Sequence, residues 1–222
     1  MGGVVGKVEL PKGNIVESKL EAKVVEVMKG RASKGSSIKS FNSIILKFPK
    51  IDTSLRKCKD IFEQFDEDRN GAIDRLELKH CFHNLELNFT EEEVNDLFNA
   101  CDVNEDMGIE FNEFIVLLCL VYLLKEKPSA LLQAKSVMSM PNLESTFETL
   151  VDAFVFLDKN KDGYVSKNEM IQAIDETGER SSARIAMKRF EEMDWDKNGS
   201  VNFKEFLFAF TRWVGIDEAE DD

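Results

Sequence analysis

Apolar residues recur three and four positions apart along most of the chain, the spacing of helices that turn one face to a core. Leu55, Cys58, Ile61, Phe62 and Phe65 form one such stripe. Phe147, Leu150, Val151 and Phe154 form another, and Ile185, Met187, Phe190 and Met193 a third. Thr90 and Glu93 make a capping box that opens a helix bearing Val94, Leu97 and Phe98. Asn14 and Glu17 have the same form beside Val16, Leu20, Val24 and Val27, after which RASKGSS (31–37) reads as a linker. Ile38, Phe41, Ile44, Ile45 and Phe48 fall on one face of a further, basic amphipathic helix. The run from Phe114 to Leu124 is apolar on every side and must bury more than one face. Residues 38–48 are the segment expected to cover it, packed on the first half of the chain. The run is too short for a bilayer, which needs roughly 20 residues. The pattern predicts an all-α fold.

The polar positions between the stripes repeat. DEDRNGAIDRLE starts at Asp66, DVNEDMGIEFNE at Asp102, DKNKDGYVSKNE at Asp158 and DWDKNGSVNFKE at Asp194. Three of them fit D-x-[DN]-x-[DN]-G followed by five residues and Glu. The second differs by Met107 at the sixth position. The starts are separated by 36, 56 and 36 residues, so the loops form two pairs with extra chain between them. Five segments follow: a basic extension over 1–53, a first lobe over 54–127, a linker over 128–142, a second lobe over 143–215, and an acidic tail over 216–222.

With these loops the chain resembles the EF-hand proteins of the calmodulin-like group. Its long amino-terminal extension is similar to that of extended plant members. The resemblance implies four EF-hands in two paired lobes, each lobe with a short two-stranded ladder between its loops. Ile73, Ile109, Val165 and Val201 would join those ladders. The implied cofactor is Ca2+, a hard cation that takes six to eight oxygens, with three or four ions bound. In the first hand the ligands would be Asp66, Asp68, Asn70, the Ala72 carbonyl, a water held by Asp74, and Glu77. In the third they would be Asp158, Asn160, Asp162, the Tyr164 carbonyl, a water held by Ser166, and Glu169. In the fourth they would be Asp194, Asp196, Asn198, the Ser200 carbonyl, a water held by Asn202, and Glu205. Gly71, Gly163 and Gly199 suit the sharp turn at the sixth position, where positive φ carries no Cβ penalty.

The second loop offers Asp102, Asn104, Asp106, Glu110 and Glu113, four of them carboxylates. Left-handed geometry at Met107 costs about 1–2 kcal/mol, and Gly108 could redistribute the turn. The charge favours an ion there and the backbone opposes it; the expectation is a weakened site.

Charge sharpens the division of the chain. Net charge is −13, yet residues 1–57 hold twelve Lys/Arg against five Asp/Glu. So acidic a body excludes nucleic acid as its partner. The arm begins MGGVVGK, an incomplete match to a myristoylation signal at Gly2. Acylated or not, it is a candidate contact for an anionic membrane surface. Four scattered cysteines without a CxxC pair point to reduced thiols in the cytoplasm. His80 and His83 flank Cys81, but no further zinc ligands converge on them in sequence. With no phosphate loop, GxSxG or HExxH motif, the chain reads as a non-enzyme. The expected function is a calcium sensor that opens apolar grooves, lined by Phe and by Met170, Met187 and Met193, to amphipathic helices of target proteins. The alternatives are a cytosolic buffer, or a lipid-anchored membrane recruiter like the neuronal sensor and calcineurin B-like groups.

Overall fold

The apolar stripes become short helices joined by the acidic loops. A computed structural model describes residues 19–40, 43–44, 47–84, 87–124, 143–175 and 182–213. In chain order the elements are α1 (Lys19–Lys34), α2 (Phe48–Arg56), α3 (Lys59–Phe65), α4 (Arg75–Asn84), α5 (Glu91–Cys101) and α6 (Phe111–Leu124). They continue as α7 (Leu143–Leu157), β1 (Val165–Ser166), α8 (Lys167–Asp175), α9 (Ser182–Met193), β2 (Ser200–Val201) and α10 (Phe203–Trp213). The predicted capping box is present: Thr90 Oγ1 accepts the Glu93 N–H at 3.2 Å, and Glu93 accepts the Thr90 N–H at 3.0 Å. Gly2, the linker at 128–142, the tail and the Asn14/Glu17 cap all lie outside the described residues.

The loops of each lobe pair through their eighth positions. Val165 pairs with Val201 and Ser166 with Ser200 in an antiparallel ladder. In the first lobe the ladder shrinks to one bridge, in which Ile73 and Ile109 exchange both backbone bonds at 2.9 Å. Ile73, Ile109, Val165 and Val201 are all fully buried, so each pair of loops shares a small apolar centre.

One buried cluster runs through both lobes. Helix α6, buried from Glu113 to Leu123, is its axis. Beyond the expected segment 38–48, whose Ile38 and Ile44 share its buried cluster, two further elements cover it among the described residues. Helix α10 of the second lobe and helix α1 of the extension pack on it. They can do so because α10 is rich in Phe and α1 brings Val24, Val25, Met28 and Ala32 to one face. Residues 38–40 are not helical, although Ile38 and Ile44 are buried. Phe41 and Ile45 lie outside the described residues. The linker expected at 31–37 is also displaced. Helix α1 runs on to Lys34 because Ala32 is fully buried and Arg31 is tied to Glu148 at 2.8 Å. Gly35, at φ +81°, then ends the helix with a bond to Ala32 O.

Candidate metal centres

All four loops fold onto the same frame of backbone donors and side-chain acceptors. The first-position Asp accepts the N–H of the sixth residue: Gly71 to Asp66 at 2.9 Å, Met107 to Asp102 at 3.2 Å, Gly163 to Asp158 at 2.9 Å, Gly199 to Asp194 at 3.2 Å. The fifth-position side chain accepts the N–H of the seventh. Those bonds are Ala72 to Asn70, Gly108 to Asp106, Tyr164 to Asp162 and Ser200 to Asn198, all between 2.8 and 3.0 Å. The twelfth-position Glu accepts the N–H of the ninth: Asp74 to Glu77, Glu110 to Glu113, Ser166 to Glu169 and Asn202 to Glu205, at 2.8–2.9 Å. The third-position side chain takes part in every loop, with Asp68, Asn104, Asn160 and Asp196 accepting the N–H of the fifth residue. The backbone thus holds side-chain oxygens of the first, third, fifth and twelfth positions in every loop.

The ninth position has a second task. Asp74, Ser166 and Asn202 accept the N–H of the Glu three residues on, capping the exiting helix. In the second hand Asn112 Oδ1 takes the Glu113 N–H instead. The twelfth-position Glu therefore lies in the first turn of α4, α6, α8 or α10.

The second loop resolves the question of Met107. Gly108 does not take over the turn: Met107 itself sits at φ +72°, beside +91°, +86° and +88° for Gly71, Gly163 and Gly199. Its side chain is two-thirds exposed, so it contributes strain and little packing. Gly108 serves another purpose. A Cβ there would lie 2.7 Å from Ala72 Cβ, so the bare position lets the paired loops of the first lobe approach. Small residues at the seventh position of both loops were the available sequence signal, and it concerned packing rather than the turn.

The donor set fits a hard cation. Oxygens of Asp66, Asp68 and Glu77 lie within 4.8 Å of one another, as do those of Asp194, Asp196 and Glu205. In the third and second loops Asn160 and Asn104 bring an amide to the third position and bond to Asp162 and Asp106. Among the described residues, Asp194 Oδ1 and Glu205 Oε1 are buried side-chain oxygens without a hydrogen-bond partner. Two such acceptors side by side are costly unless a cation satisfies them. Burial, with Asp196 and Asp194 adding to it, pushes the Glu205 carboxyl up to about 7 against the pull of the Asn202 N–H. Burial also raises Asp158 and Glu113. His80 sits 3.3 Å from Glu67. Met170 and Met193 are core, and Met187 is half-buried.

Such loops, paired through their eighth positions and closed by a Glu on the exiting helix, define the EF-hand. The model of an EF-hand domain pair matches residues 55–118 and 147–211, and the chain belongs to the calmodulin-like EF-hand calcium-binding proteins. It is 71% identical over 221 residues to an Arabidopsis thaliana protein called "Probable calcium-binding protein CML21", covering 99% of this chain and 95% of that one. It is 46% identical to the Arabidopsis "Probable calcium-binding protein CML22", over 93% of this chain and 91% of the relative. A more distant match, 31% identical, is to Arabidopsis "Calcium-dependent protein kinase 9". It covers 70% of this chain but 25% of the kinase. No described helix is long and apolar enough to cross a membrane.

Proposed function

We propose that this protein is a calcium sensor with four ion sites, the second the weakest, that regulates proteins bearing amphipathic helices. The frame shared by all four loops is the observation that carries the reading. In particular, DVNEDMGIEFNE keeps the main-chain bonds to Asp102, Asp106 and Glu113 despite the strain at Met107. A bound calcium ion supplies charge that the clustered carboxylates lack. What the chain supplies is the lever: Glu77, Glu113, Glu169 and Glu205 each hold the first turn of a helix whose far face is core. The four free, buried cysteines fit a reducing cytoplasm. The basic arm fits an anionic membrane surface, with Gly2 as a candidate acylation site.

A buffer is the second reading, favoured by the covered state of α6 and α10. The two separate on peptide binding and an affinity. A sensor binds at about 10⁻⁷–10⁻⁵ M and holds an amphipathic helical peptide more tightly when calcium is added. Tighter, magnesium-competed binding with peptide affinity unchanged by calcium would decide for the buffer.

A further inference from the structure

The extension is seated on the metal loops of the second lobe. Val25 of α1 meets Gly163, the sixth residue of the third loop, so closely that a Cβ on that glycine would lie 2.8 Å from Val25 Cγ1 and 3.4 Å from Val25 O. One turn earlier, Glu21 Oε1 accepts from Asn202 Nδ2 at 3.3 Å, and Asn202 is the ninth residue of the fourth loop. Phe203 and Lys204, which directly precede Glu205, line the same small cavity as Leu20, Glu21, Val24 and Val25. One helix from outside both hands thus touches both loops of the pair.

The same helix bridges the lobes. Lys19 and Lys23 pair with Glu92 and Glu93 at the start of α5, at 2.8 and 3.8 Å. At the other end Arg31 pairs with Glu148 of α7. The hydroxyl of the fully buried Tyr122, on α6, donates to that same carboxylate. Beyond the helix, Ser36 and Ser37 bond to Asp152. Exposed ion pairs contribute little to stability, so they set the register while the apolar face supplies the hold. Val24, Val25, Met28 and Ala32 are each at most 7% exposed.

We propose that the surface under α1 is this protein's helix-binding seat, with Lys19–Lys34 as its resident occupant, and that occupancy is coupled to calcium at the third and fourth loops. The inference rests on the calcium-binding reading above. The sign follows from the arrangement: α1 is seated on loops whose Glu169 and Glu205 are already drawn in to the loop backbone, with Glu205 also brought to Asp194 and Asp196. By linkage, whatever favours that loop form favours the seated helix, and the seated helix favours the ion by the same factor. A partner helix must displace α1. Its chemistry is that of the occupant: an apolar stripe with lysine at one end for Glu92 and Glu93, and arginine at the other for Glu148.

The test is limited trypsin digestion of the full chain, scored by cleavage at Lys29, Arg31 and Lys34, with calcium and with chelator. Calcium titrations accompany it for the wild type and for Val25→Glu and Arg31→Glu. Calcium is expected to slow cleavage at these three sites at least tenfold. Val25→Glu is expected to restore rapid cleavage and to weaken the third and fourth sites severalfold, leaving the first site unchanged. Arg31→Glu, at a partly exposed position, is expected to act in the same direction with a native circular dichroism spectrum. Cleavage indifferent to calcium, or variants with wild-type affinity at the second lobe, would overturn the coupling. A wild type that bound no calcium would instead overturn the sensor reading beneath it.

Discussion

Met107 shows what a single residue can and cannot do to a calcium loop. It occupies the left-handed region at φ +72° because the loop frame over-determines that position, at a local cost of about 1–2 kcal/mol. Met107→Gly should recover about 1 kcal/mol of this, about a fivefold gain in affinity confined to the second site, read by calorimetry against the wild type. Gly108→Ala should do the reverse, by forcing the paired loops apart at Ala72. Glu205→Gln should remove one ion from the stoichiometry, since it alters the carboxylate that carries an orphaned buried oxygen. The thiols give a simpler check. Burial raises the Cys58 thiol to about 12 and raises Cys81, Cys101 and Cys119 further. All four should therefore resist thiolate-directed labelling at neutral pH until the chain unfolds.

Among the elements, those with both periodicity and a cap were legible in the sequence. Helix α5 is the clearest case, opened by Thr90 and Glu93 and faced by Val94, Leu97 and Phe98. Thr90→Ala should cost about 0.5–2 kcal/mol in thermal or denaturant unfolding. The loops were legible because calcium chemistry fixes residue types at fixed spacing. Helix α1 was legible as a helix but not in its role. Of its expected stripe of Val16, Leu20, Val24 and Val27, Val24 is buried and Leu20 and Val27 pack at the edge of the core, while Val25, Met28 and Ala32 complete the buried face. Its extent past Arg31 depends on Glu148, more than a hundred residues away. Local propensity cannot report such a partner, and so RASKGSS read as a linker. The break between α2 and α3 is hidden for a similar reason: Leu55, Cys58, Ile61, Phe62 and Phe65 are all buried whether or not the helix runs through.

In the molecule as a whole, the two lobes share a core. Helix α6 belongs to the second hand, yet α10 of the fourth hand and α1 of the extension cover it. Its all-round hydrophobicity announced a second covering surface, and only tertiary structure could say which one. The shared core should make the protein unfold in a single calorimetric transition, where independent lobes would give two. Leu120→Ala, in the middle of α6 and 1% exposed, should lower stability by about 2–5 kcal/mol and shift that whole transition. The proposed calcium-sensor function depends on the four loops being metal sites. A calorimetric calcium titration of the full chain at millimolar magnesium addresses that directly. Four ions are expected, with the weakest site strengthened by Met107→Gly. A plateau at three, unmoved by that substitution, would contradict the claim that the shared frame of hydrogen bonds makes DVNEDMGIEFNE a calcium site.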